Sequence, residues 1–188
     1  MKLILASKSP RRREILGMVT KDFSVRVSEA DESYSADTPL EDVPRLLAER
    51  KAMAINAEAD EVIIGCDTVV IYDGELMGKP VDKADAIRML KALSDTTHQV
   101  ISGICVRTKG KSYSCAVTTH VKFKSLTTDE IEGYVNKFNP VDKAGAYGIQ
   151  EAAGAFVEKI DGDFYNVVGL PLCKLCCILK EEFNINLL

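Results

Sequence analysis

The apolar run Leu3-Ile4-Leu5-Ala6 breaks into Ser7-Lys8-Ser9-Pro10-Arg11-Arg12-Arg13 and resumes with helical character at Glu14-Ile15-Leu16. This reads as a strand, a hydroxyl-bearing turn and a helix whose first turn carries cations. Ser9 suits the N-cap, and Pro10 suits the first helical position, where its missing N–H costs nothing. Basic residues weaken a helix N-terminus unless an anion lies against them, because that end already carries partial positive charge. The turn therefore argues for a phosphate site. A solvated face or a nucleic-acid patch is the competing reading of any short basic run.

Composition bears on that choice. The chain has 188 residues and a net charge of −4, so the four cations within residues 8–13 are a local exception rather than part of a basic surface. A local pocket for a polyanion is favoured over general nucleic-acid binding. With 46% hydrophobic and 28% charged residues, the chain can bury the core of one domain or of two closely packed lobes. No segment is long enough for a membrane span, and the first apolar run is too short for a signal peptide, so a cytoplasmic location is expected. The six cysteines lack the spacing of a secreted disulfide framework. Cys173, Cys176 and Cys177 have no second pair or nearby histidine for zinc, and are read as small buried hydrophobes of a terminal helix.

Alternation in Phe23–Val27 predicts a strand that delivers the chain to Asp31 and Glu32. Thr38-Pro39-Leu40-Glu41 has the form of a capping box, predicting a helix through Lys51 and Met53 to about Ala59. Val62–Cys66 reads as a buried strand ending at Asp67-Thr68, before a second apolar run, Val69–Tyr72. Asp73-Gly74 signals a hairpin. Asp82–Leu93 is amphipathic, and Gln99–Arg107 and Ser112–Phe123 flank a Lys109-Gly110-Lys111 turn. Thr127 caps a helix to about Phe138, and Leu170-Pro171-Leu172 opens the last one. Hairpin strands mixed with crossover helices predict an α/β fold, a mixed sheet with flanking helices.

The chain has no P-loop, dinucleotide fingerprint, H-E-x-x-H or G-x-S-x-G motif. His98 and His120 have no metal-ligand spacing and are read as sheet-surface residues. What remains is a set of carboxylates and cations at element ends: Asp31, Glu32 and Asp67 with Lys51, Lys79 and Lys143. Such a set fits phosphoanhydride hydrolysis, which needs charge neutralisation, a divalent metal on oxygen ligands and a base for water. Taken singly, each of these residues is equally a surface ion-pair partner.

Six segments in order carry a resemblance: Ala6-Ser7-x-Ser9-Pro10-Arg11-Arg12; Lys51-Ala52; Gly65-x-Asp67-Thr68-Val69-Val70; Gly78-Lys79-Pro80; Asp142-Lys143-Ala144-Gly145-Ala146-Tyr147-Gly148-Ile149-Gln150; and Asn166-Val167-Val168-Gly169-Leu170-Pro171. Together they resemble the Maf family of nucleoside triphosphate pyrophosphatases, and they span nearly the whole chain. The resemblance implies a single Maf-like domain over residues 1–188 with a Maf/ITPase-like fold, two lobes enclosing a cleft. It also implies hydrolysis of a nucleoside triphosphate to monophosphate and pyrophosphate in a house-cleaning role, with a divalent cation, Mg or Mn, as cofactor. By the same resemblance Asp67 is the proton acceptor, and Arg11, Thr68 and Gln150 are specificity positions. Ser7, Arg12, Glu32, Lys51 and Lys79 line the cleft, with Glu32 assigned to the metal. Asp67 is open to a second role, holding the metal and orienting water through it.

The Ala-Gly-Ala-Tyr-Gly-Ile-Gln ending is similar to the dTTP/UTP branch, with modified pyrimidine nucleotides open as substrates. Gln150 suits that choice, since one amide donor and one acceptor match the alternating edge of uracil or thymine. Cys66 stands where the family commonly has alanine, and Lys8 is an added cation. Cys66 is expected to pack as a small hydrophobe, with oxidation sensitivity open beside the site. Neither nucleic acid nor membrane is expected as a partner; a homodimer is allowed. The alternative function is a non-catalytic nucleotide-binding regulator linked to cell division.

Overall fold

A computed structural model describes residues 1–27 and 29–188. Seven strands form one mixed sheet: β1 (Lys2–Ala6), β2 (Phe23–Val25), β3 (Glu61–Tyr72), β4 (Glu75–Met77), β5 (Thr97–Arg107), β6 (Ser112–Phe123) and β7 (Val157–Asp161). The order is β2-β1-β3-β5-β6-β7, with β4 paired to β3. β1 runs parallel to both β2 and β3, while β3–β4 and β6–β7 are antiparallel. The helices are α1 (Pro10–Leu16), α2 (Val43–Met53), α3 (Lys83–Leu93), α4 (Thr128–Phe138), α5 (Phe164–Val168) and α6 (Leu172–Phe183). None among the described residues is long and apolar enough to cross a membrane.

Contacts divide the chain into two compact units: Met1–Thr68, Ser102–Val117 and Gly169–Leu188 form the first, Val69–Ile101 and Thr118–Val168 the second. The first unit's core includes Ile4, Ile63 and Cys105 from strands and Ala48 and Ala52 from α2. Small residues at this contact have a steric cause. A Cβ on Gly65 would lie 2.3 Å from the Ala48 carbonyl oxygen, and one on Gly103 2.1 Å from that of Pro44. The helix backbone thus rests directly on the sheet. In the second unit α3 packs against α4, burying Ala86, Met89, Leu90 and Leu93 from one and Ile131, Tyr134 and Val135 from the other.

Local signals are realised where they are self-contained. Ser9 accepts from the Arg12 N–H with Pro10 in the first turn of α1, Asp82 caps α3, and Thr127 and Glu130 complete a capping box on α4. Asp73 and Gly74 adopt positive φ at the β3–β4 turn.

Four expectations are corrected. The Thr38–Glu41 capping box does not start α2; Asp42 is its N-cap, without a side-chain cap bond. Pro44 explains this. In a helix begun at Pro39 it would occupy the interior and break the ladder, whereas from Val43 it falls in the permitted first turn. The helix ends at Met53 rather than Ala59, and Ile55 and Ala57 instead enter the core.

β3 continues through Asp67-Thr68, so these residues lie mid-strand rather than at a strand end. His98 is buried, not on the sheet surface, its ring edge-on to Phe123 and Tyr147 at centroid separations of 5.0 and 5.4 Å. His120 is exposed as expected. Finally, Cys173 and Cys177 are exposed and Cys176 half-buried, because Leu172, Leu175, Ile178 and Leu179 supply the buried face of α6. All six cysteines are free thiols.

Candidate active site

Register places the first group of polar residues. Ala6 of β1 pairs with Gly65 of β3, so the turn beginning at Ser7 leaves the sheet beside Cys66 and Asp67. Ser7 is buried, and its Oγ accepts from the Ser9 N–H at 3.2 Å and from Arg12 Nη1 at 3.4 Å. Arg12 also donates through Nε to the Gly169 carbonyl at 2.8 Å and through Nη2 to Thr68 Oγ1 at 3.0 Å. Arg11 is half-buried in the same turn, while Lys8 and Arg13 are exposed.

The close seat of α2 on β3 places the second group. A Cβ on Gly65 would lie 2.9 Å from the Ala52 Cβ, and Lys51, one residue earlier, reaches Asp67. Its ammonium pairs with Asp67 Oδ1 and, at 2.8 Å, with Glu32 Oε1. Lys51 and Asp67 side chains are only 14% and 13% exposed, whereas Glu32 is 66% exposed. Burial works against the Lys51 charge, but Asp67 and the hydrogen bonds to Asp67 and Glu32 outweigh it and raise its pKa above the ordinary lysine value. The Arg12 charge opposes that rise. The ammonium is thus held in its charged form against the Asp67 side chain.

Cys66 is fully buried, and its thiol donates to the Gly169 carbonyl at 3.2 Å. Burial pushes that thiol's pKa up, which suppresses the thiolate that oxidants attack. It packs as a small buried residue, as expected.

The second unit carries the other two expected site residues. Lys79 is exposed just beyond β4, and the neighbouring Gly78 carbonyl accepts from the Gly145 N–H at 3.1 Å. Gln150 is exposed in the turn closed by the Glu151 N–H on the Gly148 carbonyl. Its segment, 142–151, is braced from within. The Lys143 ammonium is 2.8 Å from Asp142 and 3.4 Å from Glu151, and its stem lies where a Gly148 Cβ would fall. The Tyr147 hydroxyl lies 2.8 Å from His98 Nε2. Gly145 takes φ of 67°, a conformation suited to glycine.

Of the expected residues, the fold therefore gathers Ser7, Arg12 and Thr68 into one hydrogen-bonded group and Glu32, Lys51 and Asp67 into another, both in the first unit. Ser102 was not among the expected residues, yet its Oγ lies 2.8 Å from Thr68 Oγ1. A lone hydroxyl within the apolar run Val100-Ile101-Ser102-Gly103-Ile104 is the sequence signal that marks it. No group of three or more His, Cys, Asp or Glu side chains among the described residues is arranged for a metal. Asp67 and Glu32 are the residues that would hold a hard divalent cation. Asp67 and Glu32 present carboxylate oxygens that already attract one cation, the Lys51 ammonium, and such ions take their remaining oxygens from phosphate and water.

A family model described as Maf-like protein matches residues 2–182. The chain is 49% identical over 190 residues to a dTTP/UTP pyrophosphatase of Thermosipho africanus, covering 99% of this chain and 96% of that protein. It is 46% identical over 186 residues to one of Bacillus velezensis, covering 98% of each. A further relative of that name, from Alkaliphilus metalliredigens, is 47% identical over 191 residues, covering 100% of this chain and 99% of that protein. The solved Ham1 protein of Staphylococcus aureus aligns with 65% of this chain and 72% of that one, with a TM-score of 0.46 and 15% identity. A family match running from β1 into α6, over every residue that builds the Lys51 and Arg12 groups, establishes that the chain belongs to the Maf-like protein family.

Proposed function

We propose that this protein is a nucleoside triphosphate pyrophosphatase that hydrolyses dTTP and UTP to the monophosphate and pyrophosphate, clearing unwanted pyrimidine nucleotides. The observation that carries the reading is the Lys51 ammonium held between Asp67 and Glu32 with Arg12 close by, in a chain nearly half identical to proteins of that name. A carboxylate to accept a proton and cations to meet phosphate charge are what this chemistry requires.

In this reading Asp67 takes a proton from the attacking water as the bond between the α and β phosphoryl groups breaks and pyrophosphate leaves. Lys51 keeps the Asp67 carboxylate oriented and, with Arg12 and Lys79, balances phosphate charge, while Ser7 lines the phosphate turn and Arg11 serves as a specificity position. A divalent cation held by Asp67 and Glu32 would supply further charge neutralisation. Thr68 acts through Arg12, which its hydroxyl already engages. Gln150 reads the pyrimidine edge with one amide donor and one acceptor.

A panel of nucleotides with Mg or Mn tests the reading. Equal amounts of monophosphate and pyrophosphate from dTTP and UTP are expected; no turnover, or release of orthophosphate alone, overturns it. Gln150→Glu is expected to lower the preference for pyrimidines by about 10-fold or more, the scale of one lost directional hydrogen bond with a charge left in its place.

A further inference from the structure

We infer that Ser102 and Gly169 are positioning residues for Arg12, fixing the plane of its guanidinium and thereby the affinity for the triphosphate; the inference rests on the proposed pyrophosphatase reading. Gly169 engages Arg12 directly and Ser102 does so through Thr68. The Gly169 carbonyl accepts from Arg12 Nε at 2.8 Å, from the Cys66 thiol at 3.2 Å and from the Thr68 hydroxyl at 3.3 Å. The Thr68 hydroxyl oxygen meets Arg12 Nη2 at 3.0 Å and Ser102 Oγ at 2.8 Å. With Ser7 on Nη1, each of the three guanidinium nitrogens has a protein partner. A planar fork tied at all three corners has one orientation, and bidentate recognition of phosphoryl oxygens depends on orientation.

Ser102 is 0% exposed, so it does not reach a ligand and acts through Thr68. Gly169 contributes through its backbone. Its φ of 126° is closed to L side chains, and that conformation aims the carbonyl at Arg12. A Cβ there would lie 3.6 Å from Thr68 Oγ1 and 3.8 Å from Arg12 Nε. These are ordinary contacts, so substitution acts by turning the carbonyl rather than by collision.

The test is a set of variants assayed for dTTP hydrolysis and, by calorimetry, for binding of inorganic pyrophosphate, with thermal unfolding as the folding control. Ser102→Ala is expected to raise KM about 5-fold, the scale of one neutral hydrogen bond, with kcat within about 2-fold. Ser102→Thr, which keeps the hydroxyl, restores it. Gly169→Ala is expected to raise KM about 10-fold or more, as misplacement of a binding group does. In an Arg12→Lys background Ser102→Ala should add nothing further, because the group it positions is gone.

An equal loss in both backgrounds, or an unchanged KM and pyrophosphate affinity in Ser102→Ala, overturns the inference. If the parent protein turns over no nucleotide, the pyrophosphatase reading fails; pyrophosphate binding that weakens in Ser102→Ala but not in its Arg12→Lys background still supports the positioning role.

Discussion

Around Lys51, in the first unit, two carboxylates share one ammonium and a guanidinium stands near enough to be felt. Around Tyr147, in the second, an imidazole, a phenyl ring and a phenol pack edge-on at centroid separations of 4.9 to 5.4 Å. In the first cluster the Lys51 ammonium has the Asp67 and Glu32 carboxylates as partners, and they raise its pKa above the ordinary lysine value despite burial. The second keeps its titratable groups neutral, since burial without a counter-charge lowers His98 to about 4 and raises the Tyr147 phenol. Burial opposes charge in both clusters, yet Lys51 shifts up and His98 shifts down. The deciding factor is whether the neighbours carry charge.

The largest test of this contrast is removal of charge from the first cluster. Asp67→Asn is expected to cut kcat by at least about 10²-fold, the usual scale for a general base, measured by steady-state pyrophosphate release. Near-normal turnover would show that the ion cluster does not supply the base.

A pH titration of stability addresses the second cluster. Burial pushes His98 down to about 4 from the ordinary imidazole value of 6.5, so the unfolded chain binds the proton more readily. Stability is unaffected above about 6.5 and falls as pH drops from there to about 4, by roughly 3 kcal/mol in total. Urea unfolding of the parent and of His98→Phe should diverge over that window; parallel curves would refute a neutral, buried imidazole.

Tyr147→Phe removes the hydroxyl beside His98 Nε2 and leaves a ring whose Nδ1 already has no hydrogen-bond partner among the described residues. A loss of about 1–2 kcal/mol is expected in the same unfolding assay. The smallest effect belongs to Cys66→Ala, which removes a weak S–H donor and should cost about 1 kcal/mol or less. In the parent, Cys66 should also alkylate far more slowly than exposed Cys173, as mass spectrometry of partly labelled protein can read.

The legible parts of the chain were those whose partners lie within a few residues. Ser9 and Pro10 on α1, Asp82 on α3 and the Thr127–Glu130 box on α4 satisfy the first-turn donors of their own helices. Thr38–Glu41 failed for an equally local reason, because Pro44 admits only the later start. Asp67 reads as a strand end because a carboxylate interrupts an apolar run. It lies mid-strand because Lys51, sixteen residues earlier, neutralises it. His98 gave no warning of its burial, since alternation along β5 does not say which rings from elsewhere will cover it.

Sequence by itself thus determined the caps of α1 and α4, the hairpin turns, the ordered motifs and the residue types suited to phosphate chemistry, because capping, turn preference and periodicity are short-range effects. Tertiary structure alone decided which charges meet. Arg12 finds the Gly169 carbonyl 157 residues away, and Ser102 finds Thr68 34 residues away, only once the sheet order and the close seat of α2 are in place. A charge or hydroxyl has no preferred distant partner in the unfolded chain; the packed backbone supplies the partner, and with it the protonation state and orientation on which the chemistry depends.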